Sequence, residues 1–130
     1  MPESGGDAPA SVLFVEDNRN IRDLYSTLIR LKYSATSTSF AENGREGIEA
    51  CKKSEPTLIL ADIKMPVMDG IEFHRQLKET SPHLAERVAF ISATFSDRHL
   101  EYINDNNCLY LKKPFEVDVF HQFIHSMSLT

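Results

Sequence analysis

From residue 12 onward, short apolar runs alternate with longer segments in which apolar residues recur every three or four positions. Val12–Val15 is apolar throughout and ends at two acids, Glu16 and Asp17, as expected of a strand buried on both faces. Asn18 then supplies a helix cap, and Ile21, Leu24, Leu28 and Leu31 set a helical period to about Lys32. Ala35–Phe40, rich in Ser and Thr, is compatible with a second strand. Asn43 with Glu46 three residues later resembles a capping box and starts a helix through Lys53. Thr57–Ala61 is another buried strand ending at an acid, Asp62. Asp69 with Glu72 repeats the cap pattern and opens a helix to about Thr80. The pattern then predicts a strand over Val88–Ala93, a helix from Ser96 to about Asn106, a strand over Cys108–Lys112 and a helix from Glu116 to about Met127.

Strand and helix thus alternate five times. Continuously apolar strands in that order imply a parallel sheet covered by helices on both faces. Right-handed crossovers leave few topologies, and an α/β flavodoxin-like (βα)5 fold with strand order 2-1-3-4-5 suits the size. The 130 residues hold one domain, expected over residues 11–130. Residues 1–10, rich in Gly, Pro, Ser and Ala, read as a disordered leader and lack the basic and apolar stretches of a signal peptide. A net charge of −5 argues against binding nucleic acid by backbone neutralisation. No apolar run approaches the roughly 18–20 residues of a membrane span. The two cysteines, Cys51 and Cys108, cannot build a disulfide framework and fit a reducing, cytoplasmic setting as small buried or half-buried residues.

In an open parallel sheet with this order, ligands bind at the carboxyl ends of the strands, between the first and third. Strand one ends in Glu16-Asp17, strand three in Asp62, strand four in Ser92-Ala93-Thr94 and strand five in Lys112-Lys113-Pro114. Three acids brought together repel one another, by roughly 4 kcal/mol for a pair about 4 Å apart. One must take up a proton, or a cation must join them. An all-oxygen donor set without nearby His or Cys points to Mg²⁺, or Mn²⁺, over zinc. A hydroxyl (Ser92), an ammonium (Lys113) and such a cation can together hold three phosphoryl oxygens. A carboxylate nucleophile there would form an aspartyl phosphate.

The stretch Asp62-Ile63-Lys64-Met65-Pro66-Val67-Met68-Asp69-Gly70 resembles the D-x-x-M-P-x-M-D-G signature of response-regulator receiver domains. Val12–Asn18 is similar to the first strand and acid pair of that family, Ile91-Ser92-Ala93 to its hydroxyl-plus-Ala step, and Lys113-Pro114-Phe115 to its Lys-Pro-Phe. The resemblance runs from residue 12 to about 127. It implies that Asp62 accepts a phosphoryl group from a histidine kinase or histidine phosphotransfer protein. Asp17 would bind Mg²⁺ directly, with Glu16 assisting, and Asp62 and the Lys64 carbonyl would complete the protein ligands. Ser92 and Lys113 would each hold a phosphoryl oxygen. Tyr110 stands where the family carries its aromatic switch, turning inward as Ser92 moves and reshaping the face of helix four, strand five and helix five. That face would engage a downstream protein or a second copy of the chain. Lys113-Pro114 corresponds to a cis peptide. Such a domain is no enzyme on other substrates; it catalyses only its own phosphorylation and autodephosphorylation. Glu16 replaces the more frequent Asp, and Ser92 stands where Thr is also common.

Two other readings use the same residues. A receiver-like module could bind proteins without being phosphorylated. A phosphatase of the haloacid-dehalogenase type also forms an aspartyl phosphate, but its D-x-D after strand one is absent, since the chain reads Glu16-Asp17-Asn18. A flavodoxin is disfavoured because the loop after strand one lacks a Ser/Thr/Gly-rich phosphate cradle. Asp69 reads as a cap, Met65 and Met68 as loop packing, and His121 and His125 as solvated helix positions. On the last helix Phe120, Ile124 and Met127 read as core; Val119 and Phe123 fit either extra core or a partner surface.

Overall fold

The computed structural model describes residues 8–128. Five strands, β1 (Ser11–Val15), β2 (Ser37–Ala41), β3 (Leu58–Ala61), β4 (Val88–Ser92) and β5 (Leu109–Lys112), pair in parallel in the order β2-β1-β3-β4-β5. Between and after them run α1 (Arg19–Lys32), α2 (Gly44–Lys53), α3 (Gly70–Thr80), α4 (Asp97–Asp105) and α5 (Val117–Ser128). A single helical turn, Pro82–Ala85, follows α3, started by Ser81-Pro82, and it buries Leu84 and Ala85. The periodicity had not predicted it, because four residues are too few to show a period.

The sheet sorts its residues with the strand period of two. Leu13, Val15, Ile59, Ala61 and Phe90 face α2, α3 and α4, packing on Cys51, Phe73, Leu77 and Ile103. Val12, Phe14, Leu58, Leu60, Ala89 and Ile91 face α1 and α5, packing on Tyr25, Leu28, Ile29, Phe120, Ile124 and Met127. Both faces are covered by helices, and the polar residues of the central strands, Ser11 and Ser92, stand only at strand ends. Edge strand β2 is mostly exposed and Ser/Thr-rich, and it runs one to two residues later than the pattern suggests.

The face of α1 is a correction. Leu28 is buried, but Leu24 is 45 % and Leu31 68 % exposed, while Tyr25 and Ile29 point inward. The apolar spacing admitted two overlapping stripes, and the ring stack of Tyr25 with Phe14 (4.6 Å) and Phe120 (6.0 Å) selects the one containing Tyr25. On α5, Phe120, Ile124 and Met127 are core as expected, Phe123 is half-buried against it, and Val119 is exposed. His121 departs from expectation: it is half-buried, and its Nε2–H donates to the Leu28 carbonyl at 2.8 Å, tying α5 to α1.

Of the leader expected over residues 1–10, residues 1–7 lie outside the described residues. Residues 8–10 already belong to the domain: Ala8 packs on the core, and Thr36 Oγ1 donates to the Pro9 carbonyl at 2.7 Å. No helix among the described residues is long and apolar enough to cross a membrane.

Candidate functional site: an acidic cluster at the switch point

The chain leaves β1 and β3 side by side, so their C-terminal residues share one rim of the sheet. Glu16 and Asp17 follow β1 directly; Asp62 follows β3, its N–H donating to the Val15 carbonyl at 3.0 Å. One carboxylate oxygen from each of Glu16, Asp17 and Asp62 lies within 4.8 Å of the others. At that separation each pair of charges repels by roughly 3.5 kcal/mol for an effective dielectric near 20.

Lys113, delivered by the end of β5, reaches across the site. Its Nζ donates to Glu16 Oε1 at 3.0 Å and Asp62 Oδ2 at 3.3 Å. The Lys113–Pro114 peptide is cis, as the resemblance implies. One ammonium against three carboxylates leaves the cluster two negative charges in excess. The structure shows how part of this is absorbed. Glu16 is only 2 % exposed, and its carboxyl is pushed up to about 7, first by burial and then by the charge of Asp62, against the opposing pull of Lys113 and the Asn18 N–H. The Asn18 N–H donates to Glu16 Oε2 at 3.2 Å, and Asp62 Oδ1 accepts the Ile63 N–H at 2.6 Å.

These contacts leave a clear division. Glu16 is held on both oxygens by protein donors. Asp17 is exposed, with no hydrogen bond or ion pair to its carboxylate among the described residues. Three carboxylates that outnumber their single cation, with Asp17 turned to solvent, fit a hard divalent cation bound through oxygen.

The other expected residues fall as follows. Ser92, the last residue of β4, is 3 % exposed, and its carbonyl accepts the Lys113 N–H at 2.9 Å, so hydroxyl and ammonium sit on neighbouring strands. Lys64 is exposed in the loop after Asp62. Tyr110 is not turned inward: it is 44 % exposed, with its ring 5.0 Å from that of Phe95. Asp69 caps α3, accepting from Glu72 N at 2.8 Å. Cys51 is buried and Cys108 half-buried, both free thiols.

The loop that presents Asp62 is held from behind. Gly70 N–H donates to the Ile63 carbonyl at 2.8 Å, and a Cβ on Gly70 would overlap the Asp62 carbonyl. Val67 completes the loop at φ 69°, a left-handed conformation rare for a β-branched residue, as Met68 N donates to the Pro66 carbonyl at 2.7 Å.

Motif, fold and cluster can now be set against known proteins. Residues 12–125 match the profile of the response regulator receiver domain. The chain belongs to the response-regulator receiver family. It is 32 % identical over 119 residues to the polar-differentiation response regulator DivK of Brucella anthropi, covering 91 % of this chain and 95 % of that one. It is 30 % identical over 121 residues to the response regulator MprA of Mycolicibacterium vanbaalenii, covering 85 % of this chain and 46 % of that protein. The chain therefore spans about half the length of some curated relatives and nearly all of others. Chemotaxis protein CheY4 of Vibrio cholerae superposes with a TM-score of 0.78 over 92 % of this chain and 99 % of that one, at 24 % identity, a likeness of fold. This is a receiver domain of a two-component response regulator.

Three contributors to the receiver site escaped the sequence reading. Arg22 Nη1 donates to the Glu16 carbonyl at 2.8 Å, Tyr25 lies beneath Lys113 with Nζ 5.9 Å from its ring centre, and Gly70 makes room for the Asp62 backbone. Only Gly70, inside the motif, carried a visible signal. The other two are placed by how α1 docks.

Proposed function

We propose that this receiver is phosphorylated on Asp62 by the phosphohistidine of a histidine kinase or histidine phosphotransfer protein, in a Mg²⁺-dependent reaction. The observation that supports it is Lys113 bridging Glu16 and Asp62 beside an unpaired Asp17. An Asp62 oxygen attacks phosphorus in line, the bond to the donor breaks, and its electron pair leaves with the donor. Lys113 would hold one phosphoryl oxygen and the Ser92 hydroxyl another, so the work is positioning and charge neutralisation. Asp17, Glu16, Asp62 and the Lys64 carbonyl would hold Mg²⁺ or Mn²⁺, which supplies positive charge against the phosphoryl oxygens. The site serves only the protein's own phosphorylation and autodephosphorylation.

The outward Tyr110 fits the unphosphorylated form. Movement of Ser92 toward the phosphoryl group would let Tyr110 turn in and alter the face built by α4, β5 and α5. That face carries exposed Leu109, Tyr110, Val117 and Val119, suited to a downstream protein or a second copy. The net charge of −5 disfavours nucleic acid as a partner, and we place the protein in the cytoplasm. Incubation with a phosphodonor and Mg²⁺ should add about 80 Da, labile to hydroxylamine, and Asp62→Asn should abolish it. An unchanged adduct in Asp62→Asn, or none in the wild type, refutes the assignment.

A further inference from the structure

The sheet has two free edges, β2 and β5, and they are not alike. β5 carries Lys112 and runs into Lys113-Pro114, charge and proline of the kind that keep an edge from pairing. From Tyr33 to Ala41, through β2 and the turn before it, the chain holds no charge, no Pro and no Gly. The register fixes which backbone groups this edge offers. The N–H and C=O of one strand residue point to the same side, and those of its neighbours to the other. Ser37 N–H donates to the Ala10 carbonyl at 3.0 Å, and the Ala41 carbonyl accepts the Glu16 N–H at 2.9 Å, so Ser37, Ser39 and Ala41 face β1. Thr38 and Phe40 therefore turn both groups outward, where no strand pairs with them among the described residues. The Phe40 ring, stacked on Phe14 at 5.8 Å, remains exposed, and Thr38 stands on the same face of the strand.

We propose that β2 is a dimerisation edge, pairing antiparallel with β2 of a second copy of this chain about a two-fold axis at Ser39. The strand is complementary to itself in that arrangement. Its outward residues are two positions apart, so the axis sets Thr38 opposite Phe40 of the second copy and Phe40 opposite Thr38. Both are hydrogen-bonded pairs that exchange N–H and C=O, four bonds in all. Each Phe40 ring then meets a β-branched side chain and not the other ring. Charge selects the antiparallel sense. Glu42, the first charge beyond the strand, falls opposite Thr36, and the two Glu42 residues stand six positions apart, about 20 Å, beyond the screening length. An in-register parallel pairing would set the two Glu42 carboxylates side by side. The two sheets join into one of ten strands. A five-residue strand is a small contact, so the dimer is weak and concentration-dependent.

Sedimentation velocity from about 10 μM to about 1 mM should show monomer passing into dimer, with the Thr38 and Phe40 amides gaining protection from hydrogen exchange as it forms. Thr38→Pro is the deciding variant. It deletes an outward N–H that β1 does not use, so the internal ladder stays while two of the four bonds between copies are lost. It should raise the dissociation constant at least about tenfold, with circular dichroism unchanged. Thr38→Val keeps the N–H and should stay within about twofold of wild type. Phe40→Lys leaves every backbone group in place and should weaken the dimer by adding charge to the edge. A wild type that is monomeric throughout, or a dimer that folded Thr38→Pro and Phe40→Lys both leave intact, overturns the proposal. A dimer abolished by Val119→Glu and not by Thr38→Pro would place the contact on the face of α4, β5 and α5 and overturn it equally.

Discussion

Replacing Glu16 by Gln should stabilise the metal-free protein, by an amount that grows with pH. Glu16 is 2 % exposed, and its carboxyl titrates near 7 against an ordinary value of 4.5. The folded state therefore holds the proton more tightly than the unfolded chain. The stabilisation from that proton is complete below about 4.5 and lost as the pH rises through about 7. At 1.36 kcal/mol per pH unit, the raised value lowers wild-type stability, relative to a side chain that cannot ionise, by roughly 0.8 kcal/mol at pH 5 and roughly 3.3 kcal/mol at pH 8. Gln cannot ionise, and its amide oxygen can still accept from Lys113 or Asn18. The stability gap between Glu16→Gln and wild type should thus widen by about 2.5 kcal/mol between pH 5 and pH 8. Urea unfolding with a chelator present, followed by far-ultraviolet circular dichroism at several pH values, measures that gap directly. Groups common to both proteins cancel. A gap independent of pH, or one that narrows toward pH 8, would show that Lys113 already compensates the buried carboxylate and would refute the reasoning. Saturating Mg²⁺ should shrink the gap, because a bound cation stabilises the ionised carboxylate that only the wild type possesses.

Two further outcomes concern stability alone. The Tyr25 hydroxyl is buried without a hydrogen-bond partner among the described residues, so Tyr25→Phe, which keeps the ring stack, should stabilise by about 1 kcal/mol in the same urea assay. Destabilisation would mean that the hydroxyl has a partner, such as a trapped water. Val67→Gly should gain about 1 kcal/mol by relieving the left-handed backbone at an exposed position; a loss comparable to that of Gly in ordinary loop backbone would refute the strain.

Much of the site was legible because its residues lie at strand ends. A wholly apolar strand bounded by an acid states both that the strand is buried and where it stops. Repeated for Val12–Val15 and Thr57–Ala61, that pattern puts Glu16, Asp17 and Asp62 on one rim once strands one and three are neighbours. Capping was local enough to read for Asn18, Asn43 and Asp69, whose side chains each accept a backbone N–H three residues on. The same local logic covered Ser96 but passed over His99, whose Nδ1 accepts the Ser96 N–H at 3.2 Å, since imidazole is a rare partner in a capping box.

What the chain determined by itself was the order of elements, the parallel sheet and the identity of the acids, because strand and helix periods and caps depend on neighbours a few residues away. Tertiary structure decided which stripe of α1 turned inward, since Leu24 and Leu31 satisfy the helical period as well as Tyr25 and Ile29 do. Only the ring stack of Phe14, Tyr25 and Phe120 separates the two. It also decided that Lys113, 97 residues from Glu16, binds that carboxylate. The value near 7 follows from burial and from Asp62, and both exist only once distant segments have been packed together and water excluded.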